Sequence, residues 1–294
     1  MNRYFRVFNR LSVACVMVTG LALATPTWAQ EADATEEQAP KWTHRAELSY
    51  VQTGGNAEAS TLGLRTTSTG TAGAGTVTLE AGALRAETTT TSRFAAGTAG
   101  SFNVREDSVT DVTAENYFFR GRYDRPISER LFWFAGAGWE RNEFAGIKNR
   151  TQIVGGVGHL WYDNEEGHFR TDYGVTYTDQ ENVVGPPASD TFAGLRLGWD
   201  YLRPFGANTS YGNVLLVDIN ADETSDYRVD MINWLDVSMS ERMALKISLQ
   251  FLFDNEPSLG LVPLFTAGGP TDAVVLAPLD DLDTLFTVAL AIDF

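Results

Sequence analysis

The chain has 294 residues, with 22 Lys or Arg against 38 Asp or Glu and a formal net charge of −16. Such an acidic balance argues against nucleic-acid binding, which needs a basic face. Cys15 is the single cysteine, so no disulfide framework is available. No later stretch offers the roughly 18 consecutive apolar residues of a spanning helix.

Arg3, Arg6 and Arg10 precede an apolar run from Leu11 to Ala24, and Thr27-Trp28-Ala29 follows as a small-x-small site. This pattern predicts a secretory signal peptide over 1–29, whose removal takes Cys15 with it. Residues 30–41 carry Glu31, Asp33, Glu36 and Glu37 with few large apolar side chains, and read as a disordered acidic leader facing the periplasm. From Trp42 to Phe294 the chain reads as one domain of strands punctuated by Gly, Pro, Asn and Asp.

Period-two alternation marks those strands. Phe169, Tyr173, Val175 and Tyr177 alternate with Arg170, Asp172, Gly174 and Thr176; Leu195, Leu197, Trp199 and Tyr201 alternate with Gly194, Arg196, Gly198 and Asp200. Leu215, Val217 and Ile219 face away from Asp218 and Asn220, with Val214 and Leu216 blurring the pattern. Leu245, Ile247, Leu249, Phe251 and Phe253 oppose Lys246, Ser248 and Gln250. The expected strands are 43–53, 57–69, 76–88, 108–124, 131–144, 148–163, 168–179, 190–203, 211–222, 227–239, 243–254 and 283–294. An even set of alternating strands in an exported chain predicts an all-β fold: a closed antiparallel transmembrane barrel of about twelve strands with periplasmic termini.

Two further features agree. The longest connections, 89–107 and 255–282, and also 180–189, fall on the side away from the termini, where such barrels place their longer loops. The chain closes on Phe286, Val288, Leu290, Ile292 and Phe294, alternating with Thr287, Ala289, Ala291 and Asp293. A last strand of this kind, with an aromatic carboxy terminus, resembles the assembly signal of bacterial outer-membrane barrels. The partners it implies are periplasmic chaperones, the barrel assembly machinery and outer-membrane lipid, with the outer membrane of a Gram-negative bacterium as the address.

Several motifs in order carry a more specific resemblance. They are Trp42 leading to Thr53-Gly54-Gly55-Asn56, the segment Tyr123-Asp124-Arg125-Pro126-Ile127-Ser128-Glu129-Arg130-Leu131, Ser238-Met239-Ser240-Glu241-Arg242-Met243, Asp254-Asn255-Glu256-Pro257, and Asp283-Thr284-Leu285 to the end. Together they resemble the family of salt-induced outer-membrane proteins known as DUF481. The resemblance implies a barrel fold and an outer-membrane address, and no settled activity. Gly55 is an insertion into the family turn, and the loop holding Pro257, Pro263, Pro270 and Pro278 is long for the family.

Residues opposite the apolar faces are the candidates for the lumen: Glu47, Arg120, Arg122, Glu140, Arg170, Asp172, Arg196, Asp200, Arg228, Asp230, Asp236 and Lys246. Both signs are represented, as expected of charges that must be paired or hydrated. They suit a narrow channel for ions or small solutes, or a closed lumen cross-linked by ion pairs in a structural or adhesive barrel. A third reading, a lipid hydrolase, needs a nucleophile and a base. His44, His159 and His168 are the only histidines; none has a neighbouring Ser or carboxylate legible in the sequence, so no catalytic residue is expected. No metal site and no cofactor is expected either. The aromatics Trp42, Trp133, Trp139, Trp161, Trp199, Tyr201 and Tyr211 read as interface girdles.

Overall fold

A computed structural model describes residues 42–53, 58–98, 101–267 and 269–294. The expected signal peptide and leader lie outside these residues, as do Gly54, Gly55 and Asn56 of the first expected turn. Twelve strands close an antiparallel barrel: β1 (Trp42–Thr53), β2 (Glu58–Ala72), β3 (Gly75–Thr98), β4 (Ser101–Pro126), β5 (Leu131–Asn142), β6 (Ile147–Asn164), β7 (Gly167–Asn182), β8 (Ser189–Phe205), β9 (Thr209–Asn220), β10 (Tyr227–Ser238), β11 (Met243–Asp254) and β14 (Leu282–Asp293). Each strand pairs with its neighbour in sequence, except that β12 (Leu259–Thr266) and β13 (Gly269–Pro278) form a separate two-stranded sheet inserted between β11 and β14. Closure comes from β1 against β14, with Arg45 opposite Asp293 and Leu48 opposite Leu290, extended by the backbone pair His44 and Phe294.

The barrel is closed because alternation and short links cooperate. Gly73 adopts φ +57°, a left-handed conformation that suits the two-residue link between β2 and β3. The recurring Ser-Glu-Arg motifs are one turn used twice on the same rim. Ile127 and Ser128 both donate to the Leu131 carbonyl at 2.7 and 3.0 Å; Met239 and Ser240 donate to the Met243 carbonyl at 2.8 and 3.1 Å. This rim also holds Trp42 and Phe294 and is called the terminal rim below.

The opposite rim is where expectation and structure differ. The expected loop at 89–107 is a continuation of β3 and β4 as a ribbon. β3 pairs with β2 only as far as Thr89, and β4 with β5 only from Asn116. Threonine-rich sequence favours this extended form, and cross-strand hydroxyls (Thr89–Thr110 and Thr91–Ser108, both 2.8 Å) and Arg93 with Glu106 (2.7 Å) hold it. At about 3.3 Å per residue the ribbon rises roughly 30 Å beyond the paired wall. The expected loop at 255–282 contains the β12–β13 hairpin, with Pro263 and Pro278 inside strands. Both strands of an isolated pair have a free edge, where proline costs no ladder bond. β5 stops at Asn142 in a 3-10 turn over Glu143–Ala145, so the expected strand end at 144 is two residues long.

Leu48, Leu64, Phe119, Ile153, Tyr173, Val175, Leu195, Leu197 and Val288 are exposed on the outer wall, whereas Ser49, Asp172, Thr176 and Ala289, each next in sequence to one of them, are buried. A soluble protein would reverse that pattern. Near the terminal rim the outward aromatics Trp161, Phe169, Tyr201 and Tyr211 follow one another at centroid spacings of 6.3, 6.2 and 6.2 Å.

Candidate functional site

The inward faces enclose a cavity of about 1070 Å³. Its lining includes Arg45, Arg242 and Phe294 from the terminal rim and Asn142, Pro257 and Asp281 from the opposite rim. All twelve charges singled out from strand parity line it. They fall into groups that share ion pairs.

Near the terminal rim, Arg45 Nη2 lies 2.7 Å from Asp236 Oδ1, and Lys246 Nζ lies 2.7 Å from Glu47 Oε1. Lys246 and Glu47 stand on β11 and β1, with β14 between them. In register Lys246 faces Ala289 and Glu47 faces Ala291. These alanines are 5% and 0% exposed, so the small residues of the closing strand form a trough under the salt bridge.

The second group uses glycine for the same purpose. Arg122 on β4 reaches Asp172 on β7 at 2.6 Å, past β5 and β6. Its guanidinium lies 3.9 Å from the centre of the Phe134 ring, a stacked arrangement that shields it. The wall beneath is Gly136, Gly156 and Gly158: a Cβ at Gly158 would stand 2.7 Å from Asp172 Oδ1, and one at Gly156 would stand 2.9 Å from the Phe134 ring. Arg170 joins Asp124 and Asp200, each at 3.6 Å.

Towards the opposite rim, Arg196 grips Asp218 with two nitrogens at 2.7 and 2.5 Å and also contacts Gln152, while Arg228 meets Asp254 at 2.8 Å. Arg150 is 7% exposed and its register partner Glu140 is 3.8 Å away. Asp230 accepts a hydrogen bond from Gln250 at 2.7 Å. Arg120 shares Glu80 with Arg65, and both cations flank the Phe118 ring at 4.6 and 5.7 Å.

Parity reasoning passed over Arg65, Arg150, Gln152, Asp218 and Asp254 as lumen groups, although Asp254 shares the period-two face of Lys246 on β11 and Asp218 stands opposite Leu215 and Val217 on β9. It also missed an apolar sector: Val214, Leu216, Ile232, Trp234 and Leu252 line the same cavity. The blurred alternation of β9 is the trace of this sector, since both of its faces are apolar there.

The insert spans the opposite rim as a strap. It leaves β11 at Asp254 and returns to β14 at Leu282, held at its base by Asp254 N–H to the Asp281 carbonyl at 2.8 Å. Its stem leans on the far side of the barrel, where Ser258 lies 3.5 Å from Asn182 and Ser258 and Leu279 pack on Gly146. Pro257, Asp280, Asp281 and Asp283 therefore border the cavity mouth.

The family described as "Protein of unknown function, DUF481" matches residues 46–264. The chain belongs to this family. Among solved structures, this DUF481 barrel is similar to the anion-selective porin from Comamonas acidovorans, at 10% identity over 87% of this chain and 99% of that one, with a TM-score of 0.35. It is likewise similar to the translocator domain of autotransporter NalP from Neisseria meningitidis, at 10% identity over 87% and 88%, with a TM-score of 0.40. No curated protein sequence matches the chain.

The histidines of the DUF481 barrel have partners that sequence proximity conceals. His44 Nδ1 and Ser68 Oγ are 2.9 Å apart because β1 and β2 put the two residues in register. His168 Nδ1 lies 3.5 Å from Asp163 across the β6–β7 turn. The two pairs are separate, and no described hydrogen bond or ion pair joins a carboxylate to the His44 ring. His159 packs against Trp161 on the outer face, with ring centroids 4.5 Å apart and the planes tilted by 49°.

Proposed function

We propose that this chain is an outer-membrane barrel of a Gram-negative envelope, without catalytic function, that passes ions or other small solutes through its lumen. The observation carrying the reading is the cavity of about 1070 Å³ bordered by residues of both rims and lined by polar and charged side chains. The exposed apolar band and its aromatic neighbours support a lipid surrounding, since a wall of this kind is stable against hydrocarbon and a closed sheet leaves no unpaired backbone there. On this reading the terminal rim is periplasmic, and the ribbon and strap face outward. Phe286, Val288, Leu290, Ile292 and Phe294 would then serve periplasmic chaperones and the assembly machinery as the recognition strand. Phe294 is 73% exposed and open to such a contact.

The test is conductance of the purified barrel in planar bilayers. Discrete current steps above the bare bilayer are expected; their absence would sink the channel reading. The competing reading is a structural barrel with a closed lumen. Its support is that nine of the ten Arg and Lys residues lining the cavity have a carboxylate within ion-pairing distance. It predicts no conductance from a correctly folded protein.

A further inference from the structure

The cavity lining is not electrically balanced. Ten Arg or Lys residues stand against fourteen Asp or Glu residues among the described lining. Paired charges largely cancel at the distance of a passing ion, so the surplus governs the sign of the lumen field. The surplus is localised. Asp230 makes no ion pair among the described residues, and its only described hydrogen bond comes from the neutral Gln250. Arg65 and Arg120, which face it across the lumen, are engaged by Glu80. At the strap-side mouth Asp280, Asp281 and Asp283 border the cavity, again with no described ion pair, while Arg228 of the same lining is taken by Asp254. At the terminal rim Asp293 shares Arg45 with Asp236 and Glu47.

We propose that the lumen is selective for small cations, with Asp280, Asp281 and Asp283 concentrating them at the mouth and Asp230 holding them transiently inside. This rests on the channel reading above. A narrow passage with low-dielectric walls focuses the field of uncompensated charges, and carboxylates facing a pore favour cations. A cation reaching Asp230 finds a carboxylate that need not first release an arginine. An anion finds nine of the ten lining cations already committed to carboxylates, among them Arg196 to Asp218, Arg228 to Asp254 and Arg122 to Asp172; the tenth, Arg242, stands at the terminal rim, away from Asp230 and the strap-side mouth. Such a path admits ions of one sign without a dedicated metal cage.

The experiment is the reversal potential of the full-length mature barrel in a planar bilayer under a KCl gradient. K+ permeating severalfold better than Cl− is expected. The preference should shrink when both chambers are raised towards molar salt, because the screening length falls from about 10 Å at 0.1 M to about 3 Å at 1 M. Replacing the mouth carboxylates together (Asp280→Asn, Asp281→Asn, Asp283→Asn) touches exposed residues at the strap's end and the start of β14, and Asp230→Asn is isosteric. Each should lower the K+/Cl− ratio, and the fourfold variant should bring it close to unity. Retention of the unheated, fast-migrating form on SDS gels certifies that each variant is folded. A wild-type reversal potential at zero or on the chloride side overturns the proposal, as does an unchanged ratio in the folded fourfold variant. Complete absence of current removes the channel reading itself, an outcome distinct from conduction without cation preference.

Discussion

Arg122 Nη1 stands 2.6 Å from Asp172 Oδ2 although β5 and β6 lie between their strands. Asp172 is 5% exposed, and Arg122 is its one ion-pair partner among the described residues. Removing one partner of a buried pair strands the other, at a cost of about 3–5 kcal/mol. Arg122→Ala should therefore lower the urea midpoint of the refolded barrel more than Arg122→Ala combined with Asp172→Ala, which removes the stranded Asp172 carboxylate and leaves the other partner of Arg122, Asp124, beside Arg170. Equal losses in the two variants, read by tryptophan fluorescence, would mean that the pair carries no buried-charge penalty.

The trough beneath Lys246 and Glu47 makes a second prediction. Ala291 is fully buried and faces Glu47 in register, so a larger side chain there must displace the bridge. Ala291→Leu should cost about 1–3 kcal/mol, in the range for overpacking, while Val288→Leu on the outward face of the same strand should be close to neutral. Measured unfolding midpoints of the two variants decide it; equal midpoints would show that the trough has room to spare.

Adjacent glycines provide an internal control on the barrel wall. A Cβ at Gly156 would stand 2.2 Å from the Tyr173 carbonyl oxygen and 2.6 Å from Gly174 Cα, both backbone atoms that cannot rotate away. At Gly155 the nearest atom is 3.9 Å off. Gly156→Ala should sharply reduce the heat-modifiable, folded fraction, and Gly155→Ala should leave it unchanged.

These contacts mark where the sequence was legible and where it was not. Strand parity is local: a period of two places Asp172, Arg196 and Lys246 on the inner face without any knowledge of their neighbours, and the same logic found all twelve barrel strands. Pairing is not local. Arg122 meets Asp172, and Lys246 meets Glu47, across intervening strands, and each contact depends on small residues elsewhere in the chain, Gly158 and Ala291 among them. Likewise His44 and Ser68 meet only through the β1–β2 register. The ribbon and the β12–β13 hairpin were read as loops for a different reason: one is built of threonine without apolar alternation, and the other carries prolines that a barrel strand would reject but a free edge accepts.

The outward face can be tested by charge. Val175 is 63% exposed in the middle of β7, whereas its neighbour Thr176 is 5% exposed on the inner side. In hydrocarbon an arginine near the midplane of a barrel wall costs about 2–4 kcal/mol. Val175→Arg should reduce folding into phosphatidylcholine vesicles by that amount, read from the folded fraction across a urea series. The same substitution at Val183, exposed beyond the end of β7, should cost much less. Indifference to Val175→Arg would contradict a lipid-facing wall.

The strap offers the most direct test of how the lumen opens. Its stem residues Pro257 and Asp281 border the cavity, while the hairpin from Leu259 to Pro278 pairs only with itself among the described strands. The barrel wall should thus tolerate replacing residues 258–279 by a short Gly-Ser link, because β11 and β14 pair with each other from Phe253 and Leu282 down to Met243 and Ile292 regardless of what joins them. Freed of the packing of Ser258 and Leu279 against Gly146, the stem should no longer be held over the mouth, and single-channel conductance should rise. The effect should be one of conductance and not of sign, since Asp230 and Asp280, Asp281 and Asp283 all remain. An unchanged conductance from a folded, shortened barrel would place the narrowest point deeper, at the Arg196, Arg228 and Arg150 level, where Gln152 and Asp218 close in from the walls. In that case Arg150→Ala, which empties a buried position lining the cavity, should raise conductance where the strap deletion did not.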